Sequence, residues 1–148
     1  MTISLDLVRR LVGGDHGLAV VSVTRRDGTI HASVVNVGVL DDPITQLPVV
    51  GFVAAGSALK LRLLRRAGRA NVAVRVGWEW VAVEGPVHVI GPDDLTDGFS
   101  MDRLPGLLRG VFAAAGGTHG DWDEFDRVMA AERRAAVLVE PARVTSNG

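Results

Sequence analysis

LPVVGFVAAGSALKLRLLRRAGRANVAVRV, residues 47–76, decides how the rest of the chain is read. It spells strand, glycine turn, short basic helix, strand. LPVVGFVA is β-branched and apolar, Gly56 supplies the permissive backbone that ends it, and Ser57 stands where a helix N-cap is expected. A helix is thus expected from about Ala58, closed by Gly68. Its first turn carries Lys60, the only lysine beside fifteen arginines. Unpaired N–H groups and the positive end of the helix dipole, with an ammonium beside them, make an anion site. A second reading stands next to it: Lys60, Arg62, Arg65, Arg66 and Arg69 as the solvated face of a surface helix.

Working outward, 148 residues suffice for one domain with its own core, taken here as 1–148. The net charge of −1 with 22% charged residues leaves no global basic field for nucleic acid or an anionic membrane, so anion recognition has to be local. The absence of cysteine removes disulfides and thiolate chemistry. His16, His31, His88 and His119 lack ligand spacing, and no metal ligand is assigned. No leader-like segment and no long apolar run is read, so a cytoplasmic protein is expected.

Ser4 to Val12 has helical spacing and is stopped by Gly13-Gly14 (helix 4–13). Gly17 to Arg26 is a strand, Asp27-Gly28 a hairpin turn, and Thr29 to Leu40 the return strand, with Ser33 and Val35 on one face and Val34 and Asn36 on the other. Asp41 to Gln46 is a loop. Trp78 to Ile90 reads as a long strand, with Gly85-Pro86 as a bulge or corner. Trp78 and Trp80 share a face and serve either as core or interface, or as the wall of a flat aromatic ligand. Met101 to Ala115 and Trp122 to Arg134 form a helical pair (101–134), the second opened by an Asp121/Glu124 capping box. AAVLVE, residues 135–140, is the last strand, closed by Pro141. The expectation is mainly β with flanking α: a Greek-key split β-barrel formed by 17–90 and 135–145. Several strands are apolar on both faces, which asks for a second cover. A second copy of the chain, giving a homodimer, is the expected one.

No GxSxG, Walker lysine motif, HExxH or dinucleotide-type GxGxxG occurs, and no catalytic side chain is assigned. Chemistry then has to come from a bound cofactor.

The succession LAVVSVTRRDGTIHASVV, AAGSALKLRLLRRAGRANVAVRV, GWEWVAVEGPVHV and HGDWDEFDRVMAAERRAAVLVEPARV resembles the flavin and deazaflavin split-barrel family. This is the pyridoxamine 5′-phosphate oxidase-like superfamily with its FMN-binding-like barrel, and within it the small actinobacterial proteins that use coenzyme F420. The resemblance runs from about Leu18 to Val144. It implies a homodimer with two cofactor sites at the subunit interface and a lysine, here Lys60, on the cofactor phosphate. Where related F420 proteins carry an arginine two residues before that lysine, this chain has Ala58, one charged donor fewer. Ser33 matches a serine on the strand beside the ring, and Asn36 takes over polar contacts where Val34 replaces a polar residue or proline. Trp78 and Trp80 match aromatic positions offered by the partner chain. Arg133 or Arg134 reaches the acidic tail of F420, or is simply a charge pair at a helix C-terminus. With backbone N–H groups of Val53, Ala54 and Ala55 at the ring edge, and Ser57 beside the phosphate, these residues are the candidate cofactor site.

The implied activity is hydride transfer between coenzyme F420 and a planar, conjugated small-molecule substrate. FMN in the same fold is the first alternative. A non-catalytic carrier or sensor of F420 or flavin is the second, kept open by the missing acid/base pair. No nucleic acid and no membrane is expected as partner.

Overall fold

The structure, a computed structural model, describes residues 3–148. In chain order its elements are α1 (Asp6–Val12), β1 (Leu18–Thr24), β2 (Ile30–Asn36), β3 (Gly38–Asp41), β4 (Pro48–Ala54), α2 (Leu59–Ala67), β5 (Arg69–Val76) and β6 (Glu79–Ile90). A 3₁₀ turn (Met101–Arg103), α3 (Leu104–Ala114), α4 (Trp122–Ala131), β7 (Ala135–Val139) and β8 (Arg143–Ser146) follow. The strands run antiparallel in the order β2-β1-β5-β6-β7-β4-β3, with β8 on β6. The mainly β architecture with flanking helices is as expected.

Two corners turn this sheet into a barrel. The stretch expected as one return strand, Thr29 to Leu40, is two: β2 pairs with β1, β3 with β4. The break falls at Val37, which is fully buried and donates its N–H to the Gly17 carbonyl at 2.7 Å. Gly38 then passes so close to the end of α3 that a Cβ there would lie 2.2 Å from the Ala114 carbonyl carbon. At the other corner β6 does not break. It pairs with β5 as far as Pro86 and with β7 from Val87 on. Gly85 sits at this exchange, where a Cβ would meet the Glu140 carbonyl oxygen at 1.8 Å. The chain crossing there is held by Glu140 N–H to Pro86 O and Ala142 N–H to Glu84 O, both 2.9 Å. The last strand expected from AAVLVE is followed by an additional one, β8.

Alternation decides what each face meets. Ser33, Val21, Val72, Val83 and Val144 form one cross-strand row facing inward. Inside the barrel they join Val50, Phe52 and Val137, with Leu61 and Leu64 from α2 and Leu5, Val8 and Leu11 from α1 and its approach closing the ends. On the outer face of β4 and β7, Val49, Ala136 and Leu138 pack with Ile90 against Phe99, Leu108, Val111 and Phe125 of the helical layer. This corrects one expectation. The second apolar face of β4 and β7 is covered by the chain's own α3 and α4, because the loop after β6 brings them back across it.

The outward row Val34, Val20, Ala73, Ala82 and Thr145 has no such cover. Val34 is 61% exposed and Ile30, on the same face, 64%. The loop expected between Asp41 and Gln46 carries a buried acid, Asp42, whose carboxylate accepts the Ile44 and Thr45 amides and meets His88 Nδ1 at 3.0 Å. Burial pushes that carboxyl up, but the Ile44 amide, His88 and the Thr45 amide outweigh it and hold it below its ordinary value.

Replacing Gly85 by Ala should destabilise the fold by about 3 kcal/mol or more, since the obstacle is backbone and cannot rotate away. Gly110→Ala, on the exposed side of α3 with open space around it, should instead add about 0.5–1 kcal/mol. Urea unfolding of both variants checks the contrast.

Candidate functional site

The start of α2 is set by a backbone crossing. Gly56 donates its N–H to the Glu132 carbonyl at 3.0 Å, and a Cβ at Gly56 would lie 2.7 Å from the Arg133 carbonyl oxygen. Only glycine allows the two segments to touch in this way. The crossing brings the first turn of α2 against the connection between α4 and β7. Ser57 does not cap the helix: Ala58 is the N-cap residue, with extended backbone (φ −67°, ψ 138°), and no side chain caps the end. Ser57 is turned outward and exposed. The reason is the tight turn that Gly56 permits, in which the Ala58 N–H bonds back to Ala55 O at 3.0 Å and shifts the helix start by one residue. The amides of Leu59 and Lys60 are thus left without helical partners.

Lys60 stands half-buried in this first turn and forms no ion pair or hydrogen bond to any described residue. Burial, and then the charge of Arg134, pushes its ammonium below the ordinary lysine value. Arg134 is tied through Nε to Glu132 at 2.7 Å, which leaves its terminal nitrogens without a partner among the described residues. Arg134 is thus close enough to repel Lys60, and the acid in contact with the pair, Glu132, is bound on the Arg134 side alone. Arg133, by contrast, is committed to Asp93, and Arg65 to Asp94. Arg133 adopts a left-handed backbone (φ 49°), which sends consecutive arginines in different directions.

Arg134 also lines a cleft of about 370 Å³ between β2, the end of β4 and the helical layer. Its apolar wall is Val53, Val111, Phe112, Phe125, Val128 and Met129, and its polar groups are Asn36, His119, Glu124 and Arg134. Apolar walls with a few convergent polar groups are the usual make-up of a small-molecule site. A second, mostly apolar groove of about 410 Å³ along α3 and α4 shares Met129 and Arg134 with it. Beyond Gly51 the edge of β4 that carried β3 is unpaired, and β2 lies against it without ladder bonds. That seam is the split in the barrel.

The remaining candidates distribute as follows. Val53 lines the cleft, while Ala54 is buried in the barrel, as alternation requires; Ala55 is half-buried in the turn. Asn36 lines the cleft and donates to the His16 carbonyl at 2.7 Å. Ser33 points the other way, into the barrel, and its Oγ is the one buried side-chain polar atom among the described residues with no hydrogen-bond partner. Trp78 is not on the strand: it belongs to the turn before β6, 93% exposed, its carbonyl held by Asn147. Trp80 lies opposite Arg75 on the uncovered outer face. Three inter-strand steps, about 14 Å, separate its strand from the one carrying Asn36, so within one chain neither tryptophan enters the cleft.

His119 and Glu124 also line the cleft, and neither is among the site residues expected from the sequence. The available signal was the capping-box reading, which the structure fulfils only in part. Asp121 accepts the Glu124 amide at 3.1 Å, but the Glu124 side chain does not return to Asp121; it lines the cleft, and the Asp121 N–H goes to His119 Nδ1 at 3.0 Å. The helical pair also differs at its ends: the first helix opens with the 3₁₀ turn, its Pro105 in the first α-turn, and the second stops at Ala131.

No protein-family model matches the chain. Among solved structures it is similar to a conserved hypothetical protein of Mycobacterium tuberculosis (16% identity, 99% of this chain and 85% of that one, TM-score 0.69). It is similar also to an F420 reductase (15% identity, 93% and 94%, TM-score 0.60). A third is an FMN-binding protein related to pyridoxamine 5′-phosphate oxidase, from Nostoc punctiforme (14% identity, 96% and 78%, TM-score 0.63). The fold is therefore that of the pyridoxamine 5′-phosphate oxidase-like split barrels.

A lysine whose pKa is depressed by folding destabilises the folded state wherever it is charged, and that cost disappears as pH rises past the ordinary value of 10.5. Lys60→Met should accordingly raise the Tm at pH 7, with the gain shrinking once pH passes the lowered folded-state value and gone above 10.5. Thermal melts across this range check it, and a lower Tm at pH 7 would contradict the strained-cation account.

Proposed function

We propose that the chain is an F420-dependent oxidoreductase, binding the cofactor phosphate between Lys60 and Arg134 and a planar conjugated substrate in the adjoining cleft. The observation that carries this reading is the half-buried Lys60 ammonium, without an ion-pair partner among the described residues, at a helix N-terminus beside Arg134, whose terminal nitrogens remain unbonded while its Nε holds Glu132. A phosphate there accepts from the free amides of Leu59 and Lys60 and from both side chains, and offsets the burial, and after it the Arg134 charge, that depress Lys60. Arg134 supplies the guanidinium that Ala58 lacks, arriving from the α4–β7 junction instead of from the helix itself. An F420 reductase and an FMN-binding protein among the structures of this fold support a flavin-type cofactor.

The fit extends beyond the phosphate. The unpaired edge of β4 from Phe52 on offers backbone groups at the seam, and the partnerless Ser33 hydroxyl, on the barrel side of β2, is reached only by a polar ring edge that passes through the seam. Deazaflavin, when bound, supplies the hydride. The chain's own residues position it, and the apolar wall of Val53, Phe112, Phe125 and Met129 keeps water from the reacting face. In this reading Arg133, paired to Asp93, is a surface ion pair and Arg134 is the ligand contact.

The uncovered row of Val34, Val20, Ala73 and Ala82, flanked by Ile30 and Trp80, is proposed as the homodimer face. The aromatic wall that Trp78 and Trp80 do not form within one chain is proposed to come from the second copy across this face.

Fluorescence titration of F420 and, separately, FMN against wild type and Lys60→Ala tests the cofactor. F420 is expected to bind more tightly than FMN, and Lys60→Ala to weaken it at least about tenfold. No binding at tens of micromolar protein overturns the reading, and tighter FMN binding reassigns the cofactor. For the interface, Val34→Asp should convert a dimer to a monomer in sedimentation velocity and abolish F420 binding together with it. A monomeric wild type would refute the dimer.

A further inference from the structure

The cleft holds one polar group whose neutral tautomer is set by geometry. His119 lines it from the loop between α3 and α4, and the Asp121 N–H donates to its Nδ1 at 3.0 Å. A nitrogen that accepts a hydrogen bond presents a lone pair, so in the neutral ring the proton is on Nε2. Nε2 makes no hydrogen bond to any described residue. The ring itself is held in place. Its centroid lies 6.0 Å from Trp122 and 5.7 Å from Phe125; Trp122 packs edge-on against both Phe112 and Phe125, which are tilted to each other at 5.0 Å. Arg109 clamps the cluster by lying over Trp122 at 5.3 Å while paired to Asp126.

We infer that His119 is a preorganised hydrogen-bond donor of the cleft, its Nε2–H directed to a carbonyl-type oxygen on a planar conjugated ligand. The inference rests on the cleft being a small-molecule site, and deepens the function proposed above by naming the chemistry that it recognises. The departure from the capping box is what builds it. Had Glu124 bonded back to the Asp121 N–H, His119 would have lost the partner that sets its tautomer. Instead the ring takes that amide, and the Glu124 carboxylate remains on the cleft wall. A donor locked in an apolar wall loses little on binding, and it rejects a ligand of the same shape without the oxygen because the donor is then left unpaired. The ring carbonyls of the cofactor and the carbonyl of an acceptor substrate share this chemistry.

The test uses full-length protein with ¹⁵N-labelled histidine and two variants chosen by atom. Asparagine can replace Nδ1 as the acceptor for Asp121 but lacks the reach of Nε2; glutamine reaches the Nε2 position. The His119 resonances, identified by their loss in His119→Asn, should report the Nε2–H tautomer, and a proton on Nδ1 would overturn the inference. Oxidised F420 alone forms one arm. 2-Acetylnaphthalene, with the oxygen-free isostere 2-isopropenylnaphthalene as control, forms the other. In at least one arm the Nε2 resonance should move and His119→Asn should weaken binding about five- to tenfold at unchanged Tm, with His119→Gln recovering part of it. The isostere should bind wild type and His119→Asn equally.

Binding by His119→Asn equal to wild type in both arms, or no binding by wild type in either, overturns the inference; the first result makes the ring a helix cap only. F420 binding that needs Lys60 and ignores His119, with the ketone equally indifferent, leaves the proposed function standing and removes the donor. His119-dependent ketone binding without any F420 binding does the reverse.

Discussion

The structure depends on one close crossing of backbone, where Gly56 lies on the Arg133 carbonyl and gives its N–H to Glu132. Any side chain at Gly56 would wedge the two segments apart. Because they touch, the first turn of α2 is pinned to the junction where the helical layer returns to the sheet, and Arg134 arrives beside Lys60. Burial of the Lys60 ammonium, with Arg134 near it, is unfavourable by itself. Such strain persists where the surrounding packing imposes it, and here the barrel below, with Leu61 and Leu64 fully buried, provides that packing.

The same crossing places the cleft. The outer face of β4 and β7 is sealed by α3 and α4 along Val49, Ala136, Leu138 and Ile90, but the seal stops short of β2, where the barrel is split. The cleft is what remains between the seam and the helices. Its wall is apolar because it continues the packed helical layer. Its few polar groups come from places where the backbone pattern changes: Asn36 at the end of β2, His119 before α4, Arg134 before β7.

Legibility in the sequence follows how local each cause is. The glycine turn, the basic first turn with Lys60 and the left-handed Gly68 (φ 70°) that ends α2 are consequences of adjacent residues, and the motif could be read directly. Ser57 shows the limit of that reading, since a single turn bond from Ala58 to Ala55 displaces the cap by one residue. Ser33 and Asn36 fall on opposite faces, as strand alternation requires. That one is left without a hydrogen-bond partner and the other holds the His16 carbonyl is decided by distant segments. The two-sided apolar strands correctly demanded a second cover. They did not specify that β4 and β7 take theirs from the same chain. His119 carried no signal by spacing, because its tautomer is set by an amide that a capping box would have used.

By itself, then, the amino-acid order determined the β-rich barrel, the basic helix after a glycine turn, the pair of helices near the end and the lack of any self-contained catalytic motif. Those properties depend on periodicity and on backbone preferences that act within a few residues. Tertiary structure alone decided which cation stands beside Lys60, that Arg133 turns to Asp93 while Arg134 faces the cleft, and that the tryptophans lie strands away from it. Each is a relation between segments far apart in the chain, fixed where glycine lets backbones meet and where one sheet exchanges strand partners at its corners.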